Sequence, residues 1–103
     1  MSSVYSLEVT QENGCKGLKF GGDLVINHID KMTNEVREAL ASPSDVRVLV
    51  DNPSNIDMTV MQLVIAIKHS CQKAGKNFKV SATLKDDLKE LVVKAGLQKE
   101  IGL

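Results

Sequence analysis

The amino-acid sequence predicts an α/β fold with a mixed β-sheet of four to five strands and three helices. Residues 4–10 alternate apolar and polar side chains, as a half-buried strand does, and Asn13-Gly14 then supplies the positive φ values of a tight hairpin. After this hairpin, strand-like runs alternate with helix-like runs. Because short turns join antiparallel strands and helical crossovers join parallel ones, a hairpin followed by βαβα units gives a mixed sheet.

The next elements follow from side-chain spacing and turn residues. Residues 17–22 are predicted to form the second strand, which ends at its two final glycines. Asn27 is predicted to cap the first helix, which ends at Ser42-Pro43 because the residue before proline avoids the helical region. The three valines within residues 46–50 then form an interior strand.

The C-terminal half adds two helices and a strand. Residues 57–74 are apolar around much of a helical circumference, and Gly75 is a natural residue to follow that helix. Residues 78–82 form a short strand, and Thr83 is predicted to cap the last helix. Residues 101–103 add a few extended residues at an edge. Three helices of this order cover the sheet chiefly on one face.

Length and charge limit the class of protein. A chain of 103 residues is expected to form one domain, and 13 basic residues balance 13 acidic ones. With no net charge, the chain has no overall electrostatic field that would attract it to nucleic acid or anionic lipid, so we expect a protein partner. The near-zero charge also favours weak self-association. The N-terminus lacks a signal-peptide pattern, and no apolar run reaches a membrane span. A soluble, cytoplasmic protein without membrane insertion is expected.

Side chains that could perform chemistry are few and scattered. His28 and His69 have no metal-ligand spacing with cysteine or acidic residues and are interpreted as solvated surface histidines. Cys15 lies on a turn without a nearby histidine, and Cys71 falls on an apolar helix stripe as a small core residue. We therefore expect no catalytic residue, no metal, no cofactor and no enzymatic activity.

The candidate site is a strand-loop-helix junction in residues 48–60. An apolar strand runs through a polar loop to Asp57, and the long helix begins there. A helix start offers free backbone N–H groups and the positive end of the helix dipole. The junction therefore predicts a surface that docks a partner and attracts phosphate.

A known family resembles the chain at this junction and elsewhere. The run Ile56-Asp57-Met58-Thr59-Val60 is followed by Ala74-Gly75-Lys76 and Ala95-Gly96-Leu97, and Leu18 to Leu24 resembles a second strand with a Gly-acidic-Leu turn. Over nearly its whole length the chain resembles the STAS domain (sulfate transporter and anti-sigma factor antagonist) family, and in particular its bacterial anti-sigma factor antagonists.

The resemblance implies a bacterial regulatory module that binds a protein partner and takes part in transcription regulation. The partner in that family is often a serine kinase that doubles as an anti-sigma factor, and phosphorylation of a hydroxyl after the aspartate switches binding. Here Asp57 matches the acid, Met58 occupies the phosphoacceptor position, Thr59 matches the second hydroxyl and Val60 replaces a glycine. Methionine cannot accept a phosphoryl group, but it suits an adaptable apolar contact.

Two interpretations of Thr59 remain open at this point. It could be a displaced phosphoacceptor, or it could cap the helix, since Thr59-Val60-Met61-Gln62 fits the capping-box pattern. We prefer the cap because threonine caps are ordinary and phosphorylation requires a separate kinase.

The predicted partner-binding residues are Asp23, Asp57, Met58, Thr59, Met61 and Gln62. An alternative keeps the fold and makes the chain a structural STAS subunit of a larger assembly, such as a lipid-transport ABC complex, with a scaffold subunit as its partner.

Overall fold

The computed structural model of the protein describes residues 4–103. The chain opens with an antiparallel pair, β1 (Tyr5–Glu12) and β2 (Cys15–Leu24), joined by Asn13 at φ 51° and Gly14 at φ 77°. Both residues are left-handed, as a two-residue hairpin turn requires, so the predicted hairpin is confirmed. The elements that follow are a 3₁₀ turn (Ile26–His28), α1 (Ile29–Leu40), β3 (Asp45–Asp51), β4 (Asn55–Ile56), α2 (Met58–Lys73), β5 (Phe78–Thr83), α3 (Asp86–Lys94) and α4 (Gln98–Ile101).

The sheet is mixed and has five strands. Its order is β1-β2-β3-β5, and β4 pairs with the far end of β2. Only the β1–β2 pair within the described chain is antiparallel, whereas β3 and β4 run parallel to β2, and β5 runs parallel to β3. The α/β class, the mixed sheet and the N-terminal hairpin are therefore confirmed.

The hydrophobic core lies between one face of this sheet and the helices. Phe20 of β2 and Val48 of β3 are fully buried there against α2 residues such as Val60 and Val64. Side chains alternate along each strand, so their neighbours in sequence point to the opposite face and are mostly polar. Within residues 4–103, none of the helices is long and apolar enough to cross a membrane.

The C-terminal residues differ from the predicted edge strand. Gln98–Ile101 form α4, a fourth helix, and Ile101 is 0% exposed in the core. Gly102 follows at φ 86°, and a Cβ there would lie 2.5 Å from the Val80 carbonyl oxygen. Residues 98–102 therefore fold over β5. Burial of the Ile101 side chain and the turn at Gly102 stabilise this arrangement more than pairing as an extended edge strand would.

Three predicted boundaries are wrong. Gly22 does not end β2, because β4 pairs with the next two residues and extends the strand to Leu24. Asn27 lies within the 3₁₀ turn, and His28 occupies the N-cap position of α1. Thr83 remains in β5, where its hydroxyl lies 3.4 Å from Asp51 Oδ1, and Lys85 precedes α3 instead. Gly75, in contrast, follows α2 at φ 73°, as predicted.

Candidate docking site at the start of the second helix

Asp57 joins two segments that are far apart in sequence. It is the N-cap residue of α2 with φ −116° and ψ 174°, and its Oδ1 accepts a hydrogen bond of 3.2 Å from Val60 N. Its Oδ2 accepts a second bond of 2.7 Å from Ile26 N, in the 3₁₀ turn after β2. Its own backbone N–H donates to Leu24 O at 3.0 Å. One residue therefore fixes the start of α2 against the end of β2.

The Asp57 carboxylate also fills the anion position of the helix start. Its charge lies at the positive end of the α2 dipole, where an anion is stabilised. The Val60 amide, which a phosphate would otherwise use, already donates to this carboxylate. A phosphate at the same place would meet a negative charge, so the geometry opposes anion binding through the Val60 amide.

The predicted capping box at Thr59 is wrong. Asp57 is the N-cap, which makes Thr59 the second residue of the helix and places Val60, not Gln62, at the third. A capping box needs a glutamate or glutamine at that third position. The aspartate takes the cap because its ionised side chain is the stronger acceptor and also bonds a second amide. Thr59 is half-buried beside it.

Two exposed apolar side chains flank Asp57. Met58, which follows it in sequence, is 46% exposed, and Ile26, whose amide it binds, is 58% exposed. We call these two residues the apolar corner. Met58 was predicted from the sequence and Ile26 was not, because long-range contacts, among them its hydrogen bond to Asp57, bring the 3₁₀ turn to this helix.

Of the two remaining predicted contact residues on α2, Met61 is buried and Gln62 is exposed. Met61 is 1% exposed in the core, so its assignment as a partner contact is wrong. It belongs to the buried stripe of α2 together with Val60 and Val64. Gln62 is exposed and lies one helical turn after Met58, on the same side of the helix. The accessible surface therefore runs from the apolar corner to Gln62.

Asp23 belongs to a polar cluster that it forms with His28 and Tyr5. Its side chain is 18% exposed, and its Oδ2 lies 3.8 Å from His28 Nε2. That nitrogen is buried and has no hydrogen-bond partner among residues 4–103, so the interpretation of His28 as a solvated histidine is wrong. The His28 ring is covered by Tyr5, with ring centroids 5.3 Å apart. Asp23 therefore faces this cluster more than it faces solvent.

Tyr5 links β1 to α1 in the same cluster. Its hydroxyl donates to Glu35 Oε1, and Lys31 Nζ lies 6.0 Å from the ring centroid. Burial raises the pKa of Tyr5 to about 12, and the hydrogen bond and negative charge of Glu35 act in the same direction. The phenol is therefore held in its protonated form.

Comparison of the chain with known families and proteins adds no relative. No family model matches the sequence, and no curated protein matches it.

Removal of the Asp57 carboxylate should destabilise the fold. We expect Asp57→Ala to lower the free energy of unfolding by about 1–2 kcal/mol, since it removes an N-cap and leaves two amides without their acceptor. Asp57→Asn should cost less, because asparagine is also a good cap. Urea unfolding followed by circular dichroism measures both. Thr59→Ala is the matched control and should change stability by less than about 0.5 kcal/mol. If Thr59→Ala lowered the free energy of unfolding as much as Asp57→Ala does, the capping box at Thr59 would be the better interpretation.

The ionisation of Tyr5 should be displaced to high pH. Tyr5 is the single tyrosine of the chain, so phenolate absorbance reports it alone. We expect a midpoint near 12 in the folded protein, above the ordinary pKa of 10.0. Because the folded pKa is raised, this contribution to stability is complete below pH 10.0 and disappears as the pH rises to about 12.

Glu35→Gln provides the comparison for that titration. It keeps an acceptor near the phenol but removes the negative charge, so the midpoint should move down towards the ordinary value. Circular dichroism recorded at each pH confirms that folded protein is being titrated. A midpoint that is the same in wild type and Glu35→Gln would contradict the Tyr5–Glu35 contact.

Proposed function

We propose that the chain is a non-enzymatic bacterial regulatory module of the STAS type, similar to an anti-sigma factor antagonist. It docks a serine kinase that acts as an anti-sigma factor through the apolar corner and the adjoining α2 surface. The observation that carries this proposal is the exposure of Met58, 46%, beside the aspartate that caps α2.

The apolar corner has the properties of a protein contact. Methionine is enriched at protein interfaces, and its unbranched side chain adapts to a partner surface. The backbone that carries Met58 and Ile26 is fixed by the two hydrogen bonds to Asp57. Because little backbone ordering remains to be done on binding, the contact area is pre-organised.

Three side chains that could act in catalysis have environments that favour a structural role. Both oxygens of the Asp57 carboxylate accept backbone hydrogen bonds. Cys71 is buried, and burial raises the pKa of its thiol, which keeps it protonated and unreactive. His28 Nε2 is buried beneath the surface. Each of these groups has a structural environment that opposes its use as a nucleophile or base.

The alternative is a structural STAS subunit of a larger assembly, such as a lipid-transport ABC complex. The same apolar corner would then rest against a scaffold subunit or transporter ATPase. The two functions differ in the protein bound and not in the surface used, so the identity of the partner separates them.

Introducing a charge at the apolar corner should abolish docking. We expect Met58→Glu to weaken partner binding by roughly tenfold or more, since it places a charge in an apolar contact. Glutamate is tolerated in the first turn of a helix, so the fold should be retained. The measurement is affinity capture from the native bacterium, with identification of the bound protein, followed by calorimetry with that protein purified.

Val93→Glu is the matched control for Met58→Glu. Val93 is an apolar α3 residue with 49% exposure, close to that of Met58, and it lies away from the corner. It should leave affinity unchanged. Equal binding by both variants would refute the corner as the docking site, and capture of a transporter ATPase in place of a kinase would favour the structural subunit.

Thr59 should remain unmodified when a kinase partner and ATP are supplied. A phosphate there would lie beside the Asp57 carboxylate, which repels it and already occupies the helix start. Mass spectrometry of the incubated protein measures modification residue by residue, with Thr59→Val as the reference. A phosphorylated Thr59 would show that the phosphoswitch is kept by the second hydroxyl.

A further inference from the structure

A groove of about 520 Å³ lies between α1 and α2. Both helices connect parallel strands of one sheet, so they run in the same direction. Their first turns are joined through the Asp57–Ile26 hydrogen bond, and their last turns through Lys76, whose Nζ donates to Leu40 O at 2.9 Å. The groove is lined by Thr33, Arg37 and Leu40 of α1 and by Leu63, Ala66 and Ser70 of α2.

We infer that this groove binds an amphipathic helix of the docked partner, with the helix's acidic side chains at the end beside Arg37. The inference rests on the proposed function, because the helix belongs to the protein that docks at the apolar corner. It adds to that function the chemistry of the partner segment and a second contact surface.

The floor of the groove is apolar and its rim is made of short side chains. Leu40 and Leu63 are half-buried in the floor, so each still offers surface to a ligand. Ala66 and Ser70 are exposed on the α2 side and leave room for a helix to approach. An apolar channel between two helices suits the apolar face of a third helix.

The groove is continuous with the apolar corner along α2. Met58, Gln62, Ala66 and Ser70 follow one another at intervals of four residues, so each side chain lies next to the following one. This series covers roughly 18 Å of helix at ~1.5 Å per residue. Lys73 lies seven residues after Ala66, on the same side of α2. One partner segment of about three helical turns could therefore reach from the corner to the far end of the groove.

The far end of the groove carries positive charge that the fold does not use. Arg37 is the charged residue of the lining, and Lys73 is exposed in the last turn of α2. Among residues 4–103, neither lies within salt-bridge distance of an acidic group. Lys76 already donates to two carbonyl groups at the end of α1, and Asp45 at the start of β3 is held by Asn77. These two free cations are complementary to carboxylates on a partner.

The acidic residues of α1 lie elsewhere. Asp30 is exposed in the first turn, seven residues and about 10 Å before Arg37 on the same side of the helix. Glu35 accepts a hydrogen bond from Tyr5 on the side that faces β1, and Glu38 follows it by one turn. The groove is therefore acidic near its start and basic near its end. A partner helix with carboxylates at one end fits this distribution of charge.

Two synthetic amphipathic helices serve as probes. Both have leucines along one face and a length of about 15 residues, but one ends in three glutamates and the other in three lysines. Nuclear magnetic resonance titration of the full chain should show shifts at the Leu63 and Ala66 amides. The acidic peptide should bind roughly fivefold more tightly than the basic one, and added salt should reduce the difference. Arg37→Glu should reverse the preference, while Lys94→Glu, an exposed charge reversal on α3, should not.

Filling the groove provides a second test. Ala66→Arg should weaken binding of the acidic peptide roughly tenfold or more, since a long side chain then occupies the space of the ligand. Position 66 is exposed and arginine is a good helix former, so the fold should be retained. Gln72→Arg, an exposed position of α2 outside the groove lining, is the matched control and should bind like the wild type. Circular dichroism checks the folding of each variant.

Three results would overturn the inference. The first is equal affinity for the two peptides, or shifts confined to residues outside the groove. The second is self-association of the chain alone that Ala66→Arg removes, because a second copy would then be the occupant. The third comes from capture of the partner. Capture lost in Met58→Glu but kept in Ala66→Arg would leave the proposed function in place and reject the groove, whereas capture kept in both variants would reject both.

Discussion

The corner between β2, β4 and α2 depends on one carboxylate that accepts two backbone hydrogen bonds. Asp57 binds the Val60 amide within its own helix and the Ile26 amide of a segment 31 residues earlier. A serine or threonine cap has a single side-chain oxygen, whereas the two Asp57 oxygens accept one bond each from donors on different segments. The demand for two acceptors therefore explains an acidic residue at this position without any reference to phosphate chemistry.

The same two bonds determine what the corner can do. They consume the helix-start amide that would bind an anion, and they hold Ile26 and Met58 outward on either side of the carboxylate. The corner thus has the Asp57 carboxylate and the two amides that it binds satisfied within the chain. It has an apolar surface on a fixed backbone, and that combination suits recognition of another protein.

The sequence predicted most of the fold because its signals there are local. Asn13-Gly14 specifies the hairpin, and the helical spacing of apolar residues specifies α2. Helix caps were harder to predict, because several polar residues lie near each helix start. Long-range hydrogen bonds decide which of them becomes the cap. Asp57 caps the helix in place of Thr59 because it also binds the distant Ile26 amide, and His28 Nε2 is buried where Tyr5 of β1 covers the ring. Ile101 lies in a helix because its side chain completes the core. The side-chain pattern of residues 101–103 alone cannot indicate that contact.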